Sequence, residues 1–212
     1  MYAVYGTGSL GTEVIDLLTN ELGCSSKNLL LVDDTLPRTK LFGEYDCYPY
    51  KEIPRMRDLE FLIALGEPEY RRAIREKLVA DGRKMATFIS KRAYIGMKTL
   101  IEPGCIVFPY SYIGCKTHLA DNVCVHSGAK VESECAIGDN SFISLGAFVG
   151  ANSTIDENVF IGPNAAIIDH TKIGKHAIIG MSACVLHDVK NEQVCVGNPG
   201  RILDKNAERV FK

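Results

Sequence analysis

The chain has 212 residues, a formal net charge of −2 and 46% hydrophobic residues. Its 24 Lys and Arg are scattered among 26 Asp and Glu without a basic run, which argues against nucleic acid as a partner. No window approaches eighteen apolar residues, and no basic segment leads into an apolar core at the start, so a cytoplasmic protein without membrane span or secretory leader is expected.

From the start of the chain, Tyr2 to Tyr5 reads as a short strand running into Gly6-Thr7-Gly8-Ser9-Leu10-Gly11. Glu13 to Leu22 then carries Val14, Leu17, Leu18 and Leu22 at helical spacing. A strand, a G-x-G-x-x-G loop and a helix are the context that the dinucleotide fingerprint needs. Glycines admit a pyrophosphate to the backbone, and a helix N-terminus offers unpaired N–H groups. Taken alone the motif is equally a tight β-α turn. A second buried strand, Asn28 to Val32, ends in Asp33-Asp34, where a ribose-binding acid would lie. Beyond it come a turn-rich piece (Leu36 to Tyr50), a strand at Glu60 to Leu65, a helix opening at Gly66-Glu67 and reaching Ala80, and a strand at Lys84 to Phe88. The count is about four parallel strands, half of a dinucleotide fold.

From Tyr94 to Val185 an aliphatic residue falls on every sixth position, sixteen in one phase from Ile95 through Val125 and Ile161 to Val185. The residue two places earlier is small, as at Ala93, Cys105, Ser111, Ala129, Ser141, Ala165 and Ala183. The residue one place later is glycine seven times, at Gly96, Gly114, Gly138, Gly150, Gly162, Gly174 and Gly180. A period of six is neither 3.6 nor 7, so no helix or coiled coil holds the pattern. Being even, it keeps a short strand in constant inside-outside sense, with glycine at corners where a Cβ would be costly. Hexads of this kind mark a parallel β-helix, and each buried aliphatic contributes about 1.5–3 kcal/mol.

Eight cysteines, Cys24, Cys47, Cys105, Cys115, Cys124, Cys135, Cys184 and Cys195, contain no C-x-x-C pair. Cys105 and Cys135 occupy the small inward slot, and reduced structural thiols are expected.

The hexads resemble the left-handed β-helix of the hexapeptide-repeat acyltransferases, in which three hexads make one triangular coil, so sixteen make a little over five. Together with the N-terminal half-domain they resemble the sugar O-/N-acyltransferase family, which includes sialic acid O-acetyltransferases and the N-acetyltransferases of UDP- or dTDP-4-amino sugars. The segments carrying this resemblance are Gly6 to Val14, Val32-Asp33-Asp34, Ile63-Ala64-Leu65-Gly66 and Val196-Gly197-Asn198-Pro199-Gly200-Arg201. The implied fold class is α/β plus all-β: a small Rossmann-like domain (1–89), a left-handed parallel β-helix (90–190) and a closing segment (191–212) with a last strand, a turn and a short capping helix from Leu203 to Lys212. The implied activity is acetyl transfer from acetyl-CoA to an amine or hydroxyl of a nucleotide-sugar in bacterial glycan synthesis, by direct attack on the thioester in a homotrimer. The alternative is a weak or inactive trimer that binds a nucleotide-sugar.

The resemblance implies that Gly6, Gly8, Ser9, Asp33 and Asp34 touch the nucleotide. It also implies that CoA lies in a groove between adjacent β-helices, along Ser144, Ala151, Gly162, Gly180 and Met181, with Asn198 and Pro199 near its adenine end. No metal is implied. The family's base is a histidine in an acid-His-acid-Cys stretch; here that stretch is Glu132-Ser133-Glu134-Cys135, and a second family histidine corresponds to Phe142. Serine cannot act as a general base near neutral pH. His126, one residue after an inward aliphatic, is the substitute candidate, oriented by Glu134 or Glu132, or else a histidine packing at a trimer contact. On an eighteen-residue coil its vertical neighbours are Phe108 and Ser144, then Gly162 and Gly180. Glu134 as base would need a pKa raised by burial, and Ser133 as nucleophile would need an adjacent base. His118, His170, His176 and His187 are expected on the solvated surface. No two of the five histidines are five apart, as the zinc-binding γ-carbonic anhydrases of this fold would require.

Overall fold

The computed structural model describes residues 1–53 and 59–203. The first part is a six-stranded sheet with two helices. In chain order these are β1 (Tyr2–Tyr5), α1 (Ser9–Leu22), β2 (Leu29–Val32), β3 (Thr39–Leu41), β4 (Tyr45–Tyr48), β5 (Glu60–Ile63), α2 (Pro68–Ala80) and β6 (Lys84–Met85). The sheet order is β3-β4-β2-β1-β5-β6, and every pair but β3–β4 is parallel. Five parallel strands thus replace the four expected, because the turn-rich piece after Asp34 contains a hairpin whose second strand joins β2. The inner strands are continuously apolar since both sheet faces are covered. Val4, Leu29, Leu31 and Leu62 pack towards α1, while Ala3, Leu30, Phe61 and Ile63 pack on the other side with Leu78 of α2.

Helix α1 starts earlier than the apolar spacing suggested, directly at the glycine loop, with Gly8 as N-cap. It ends at Gly23, left-handed at φ 69°, where the N–H groups of Gly23 and Cys24 reach the carbonyls of Thr19 and Leu18.

The rest is a parallel β-solenoid of two-residue rungs stacked in three sheets. The stack begins one hexad before Ile95: Phe88–Ile89 pairs in parallel with Ile106–Val107. The expected strand from Lys84 to Phe88 is therefore two strands in two sheets, parted at Ala86-Thr87. The inward aliphatics and the small residues before them form one unbroken core from Cys105 to Cys195, with Ile95 and Ile101 at its partly open end. A Cβ on Gly96, Gly114, Gly138, Gly162 or Gly174 would stand within 2.7 Å of the next coil's backbone, so the glycine after the aliphatic is a matter of stacking distance. The left-handed turn residue falls two places further on. It is glycine at Gly104, Gly128 and Gly146 and asparagine at Asn122, Asn140, Asn152, Asn158 and Asn164, the residue types that tolerate positive φ best, while Lys98, Tyr110, Lys116, Glu134, His170, His176 and Ser182 take the same conformation in the other turns.

The outward slots separate by face. Phe88, Ile106, Cys124 and Phe142 of the first face are buried against α1. The second face carries Tyr94, Tyr112, Lys130 and Phe148, and the third carries Leu100, His118, Ala136, Thr154 and Lys172. The solenoid ends in Val194–Val196, paired with Ile178–Ile179 and, antiparallel, with Arg201–Leu203. Leu203 thus closes a hairpin, and the remainder of the expected capping helix (204–212) lies outside the described residues. All eight cysteines are free.

Candidate functional site

Three contacts set the line of α1. Glu21, near its C-terminal end, accepts hydrogen bonds from Ser90 Oγ (2.7 Å) and the Lys91 N–H (2.8 Å) on the first coil. Glu13, two turns earlier, meets His126 two coils further along, Oε2 to Nε2 at 3.3 Å. The helix therefore runs antiparallel to the stacking direction, and its N-terminal end with the glycine loop is directed towards the later coils.

One corner column lies beside that line. Phe108, His126, Ser144, Gly162 and Gly180 are stacked by the backbone bonds Phe108 N–H to Val125 O, His126 N–H to Ile143 O, Ser144 N–H to Ile161 O and Gly162 N–H to Ile179 O. The column narrows from two rings to a hydroxyl to bare backbone. Its filled end lies beneath α1, and its bare end is the part towards which the glycine loop is directed.

His126 is 6% exposed. Its ring stacks on Phe108 (centroids 4.3 Å apart, 11° between planes) and meets the edge of Phe142 at 6.0 Å. Nδ1 accepts a 2.8 Å hydrogen bond from the Ser127 N–H, so the neutral ring carries its proton on Nε2, the atom nearest Glu13. Burial pushes the imidazole pKa down to about 4 and the Glu13 carboxyl above the usual carboxylate range. Both shifts oppose charge separation, so the 3.3 Å contact joins a neutral ring to the carboxyl and is no ion pair. A groove of about 390 Å³ opens beside it, lined by Thr12, Glu13, Asp16, Leu17, Pro109 and Ser127 together with Phe108.

The expected partners of His126 are elsewhere. Glu132, Ser133 and Glu134 belong to the turn after the second-face rung Lys130–Val131, at another corner. Glu134 is exposed and bonded to Lys116 Nζ at 2.7 Å, and that contact lowers its pKa, opposite to the shift a base role requires. The carboxyl beside His126 comes instead from α1, where no sequence spacing relates it to His126. Ala151 stacks in the column of Ser133, and its N–H donates to Asp169 Oδ1. The proposed donor residues thus divide between two corners of one chain: Ser144, Gly162, Gly180 and the exposed Met181 on one, Ala151 on the other. The Gly197 to Gly200 turn, with a cis Asn198–Pro199 bond, abuts Cys184 on the second face between them.

In the sheet unit the chain order reverses between β1 and β5, and ligands of open α/β sheets sit outside the strand ends at such a point. Gly6 (φ +103°) fits here because a Cβ would lie 2.7 Å from the Ala64 carbonyl. Gly11 fits because a Cβ would lie 2.1 Å from the Gly6 carbonyl, so only glycine lets α1 come this close to the loop. Gly8 and Gly66 differ: no atom stands within 4 Å of where their Cβ would be. The protein's own packing does not require glycine there, and bare backbone faces open space. The first turn of α1 adds unpaired N–H groups beside it, because the first helical bond is from the Thr12 N–H to Gly8 O. Ser9 is exposed on that turn.

Asp33 and Asp34 both have partners within the chain. Asp33 accepts from the Thr7 hydroxyl and N–H and from the Thr35 hydroxyl and N–H. Against the upward push of burial, these bonds hold its pKa below the usual range. It pins the glycine loop to the end of β2. Asp34 accepts from Tyr5 Oη (2.6 Å), the Tyr50 N–H (2.7 Å) and Lys77 Nζ (3.1 Å), with the same net lowering. It also borders a cavity of about 530 Å³ with Thr35, Leu36, Pro37, Pro49, Lys51, Glu52 and Lys77. Lys77 lies over the Tyr50 ring at 4.4 Å.

Of the histidines expected on the surface, His176 contacts Glu69 of α2, and His118 Nε2 lies 3.3 Å from Glu102. Among the described residues, no group of His, Cys, Asp and Glu could hold a metal ion, and no helix is long and apolar enough to cross a membrane.

A family model described as bacterial transferase hexapeptide (six repeats) matches residues 152–187, a minor share of the chain and wholly within the solenoid. Comparison with curated proteins gave no significant match. The chain is similar to the acetyltransferase domain of PglB from Neisseria gonorrhoeae FA1090, with 25% identity and a TM-score of 0.86 over 95% of this chain and 98% of that one. It is also similar to WeeI from Acinetobacter baumannii AYE (24% identity, TM-score 0.70, 96% and 99% covered). A third likeness is to PerB from Caulobacter crescentus, in complex with CoA and GDP-perosamine (21% identity, TM-score 0.77, 95% and 96% covered). The likeness takes in both the sheet and the solenoid.

Proposed function

We propose that this chain is an acetyltransferase that moves the acetyl group of acetyl-CoA to an amine of a nucleotide-linked sugar in bacterial glycan synthesis. The observation that carries the reading is the antiparallel course of α1, which directs a glycine loop with unpaired N–H groups towards the bare end of the Ser144–Gly162–Gly180 column. An acceptor's diphosphate suits the first place and an extended pantetheine the second, so one line of the molecule serves both substrates. The similar structures support it: the PglB domain has also been solved with acetyl coenzyme A, and PerB with CoA and GDP-perosamine.

In this reading the first part, up to about the Ala86-Thr87 junction, is a Rossmann-like nucleotide-sugar domain. The solenoid is a left-handed β-helix that assembles as a homotrimer in the cytoplasm. Trimer formation would give the two separated corners a purpose, since the corner with Ser133 and Ala151 of one subunit could face the His126 corner of its neighbour. Gly6, Gly8 and Ser9 line the diphosphate site. Asp34 borders the nucleoside cavity and Asp33 fixes the loop. Met181, Asn198 and Pro199 flank the outer end of the donor.

The test is release of CoA from acetyl-CoA on adding UDP-, dTDP- or GDP-linked 4-amino sugars. Release with at least one acceptor supports the reading. Tight acceptor binding without release from any would replace it with the non-catalytic binder.

A further inference from the structure

We propose that Glu13, on α1, accepts the proton released by the attacking amine, and that His126 is the residue that positions it. This rests on the acyl-transfer reading and concerns the same groove.

Neither nitrogen of His126 is available for the task. Nδ1 already accepts from the Ser127 N–H, and Nε2, which bears the ring proton, lies 3.3 Å from Glu13 Oε2. To act as base the ring would have to give up one of these, inside a slot closed by Phe108 and Phe142. Burial also makes it a weak base, far from the match with working pH that proton transfer favours.

Glu13 has the complementary properties. One carboxyl oxygen lies 3.3 Å from Nε2 of the buried His126 ring, yet the Glu13 side chain remains 49% exposed and lines the groove. It stands five residues into the chain from Gly8, roughly 7.5 Å along the helix axis. That is about the reach from a sugar phosphate across a pyranose ring to an amine on its far side. Partial burial strengthens it as a base. The titratable groups around it are Asp16 on its own helix, and His126 and the buried Cys124 on the solenoid.

In the step itself, the neutral amine nitrogen attacks the thioester carbonyl carbon of the acyl-CoA. The N–C bond forms as the carbonyl pair moves to oxygen. On collapse the C–S bond breaks and sulfur leaves with the bonding pair. The proton from nitrogen passes to Glu13 and then to the departing thiolate. Nothing is oxidised or reduced.

The experiment is steady-state kinetics over pH with acetyl-CoA and a 4-amino nucleotide-sugar, on wild type, Glu13→Gln, His126→Phe and His126→Gln. Glu13→Gln should lower kcat by about 10²–10⁴-fold with little change in KM. His126→Phe, which replaces the polar neighbour of the carboxyl by an apolar ring, should move the acidic limb of kcat to higher pH, and His126→Gln should move it back. Independently of any variant, the wild-type limb should coincide with the titration of the Glu13 carboxyl followed by carbon NMR in the CoA complex. A Glu13→Gln enzyme with wild-type kcat, or a limb that follows the His126 ring, overturns this assignment alone. A wild type that releases no CoA overturns it together with the acyl-transfer reading.

Discussion

Arg71 of α2 is completely buried and donates from one terminal nitrogen to both the backbone carbonyl and the side-chain oxygen of Asn122 on the solenoid corner, the latter at 3.0 Å. Its other terminal nitrogen donates to the carbonyls of Ile63 (2.7 Å) and Leu65 (3.0 Å) at the end of β5. By occupying Asn122 Oδ1, the guanidinium orients a chain of amides: Asn122 Nδ2 donates to Asn140 Oδ1, and Asn140 Nδ2 to Asn158 Oδ1, each at 3.0 Å. Arg75 pairs with Asp121 and Asp139 alongside. One arginine thus ties the sheet, α2 and three successive coils into one polar unit, which fixes the sheet against the solenoid.

Arg71→Ala should therefore cost about 3–5 kcal/mol, because it leaves buried carbonyls without donors and opens a cavity. Arg71→Lys should recover only part of this, as a point charge cannot span both carbonyl sets. Denaturant unfolding measures both.

Gly8 and Gly11 should respond oppositely to alanine. Gly11→Ala drives a methyl into the Gly6 carbonyl and should destabilise by several kcal/mol. Gly8→Ala meets nothing and should change stability by no more than about 1 kcal/mol. It should nevertheless weaken nucleotide-sugar binding, which titration calorimetry reads separately from thermal unfolding.

The hexad pattern was legible because its even period keeps every inward residue inward. The first rung escaped because Lys84 to Phe88 is short enough to read as one strand, though Ile89 stands in the same phase as Ile95. The outward slot holds a further signal at the eighteen-residue period: Phe88, Ile106, Cys124, Phe142, Phe160 and Ile178 mark the face that the sheet unit covers. His126 could be picked out as a residue of interest, but its partner could not. Glu13–His126 and Arg71–Asn122 join elements far apart in the chain, and neither residue of either pair carries a periodic mark that points to the other. Asp33 and Asp34 stood at a strand end where a ligand was expected, and threonine, tyrosine and lysine partners from the fold itself meet them there.

Acid should weaken the fold through His126. Its pKa falls from 6.5 in the unfolded chain to about 4 in the folded one. The unfolded state then binds more protons between these values, so this contribution is complete above pH 6.5 and lost as pH falls towards 4. The full difference corresponds to roughly 3 kcal/mol. His126→Asn should flatten the stability-pH curve in that window, as chemical denaturation at a series of pH values would record. The raised pKa of Glu13 works in the opposite sense and is weakened by its exposure.

Glu134→Gln should leave turnover within about threefold of wild type, since the carboxylate is exposed and paired with Lys116. A hundredfold loss would return the acid-base role to the corner of Ser133.

The central claim meets its most direct test in the product. Incubation with isotope-labelled acetyl-CoA and 4-amino nucleotide-sugars, followed by mass spectrometry, should give an acceptor carrying one labelled acetyl group on nitrogen and an equal amount of free CoA. Unmodified acceptors throughout, with both substrates shown to bind, would contradict it.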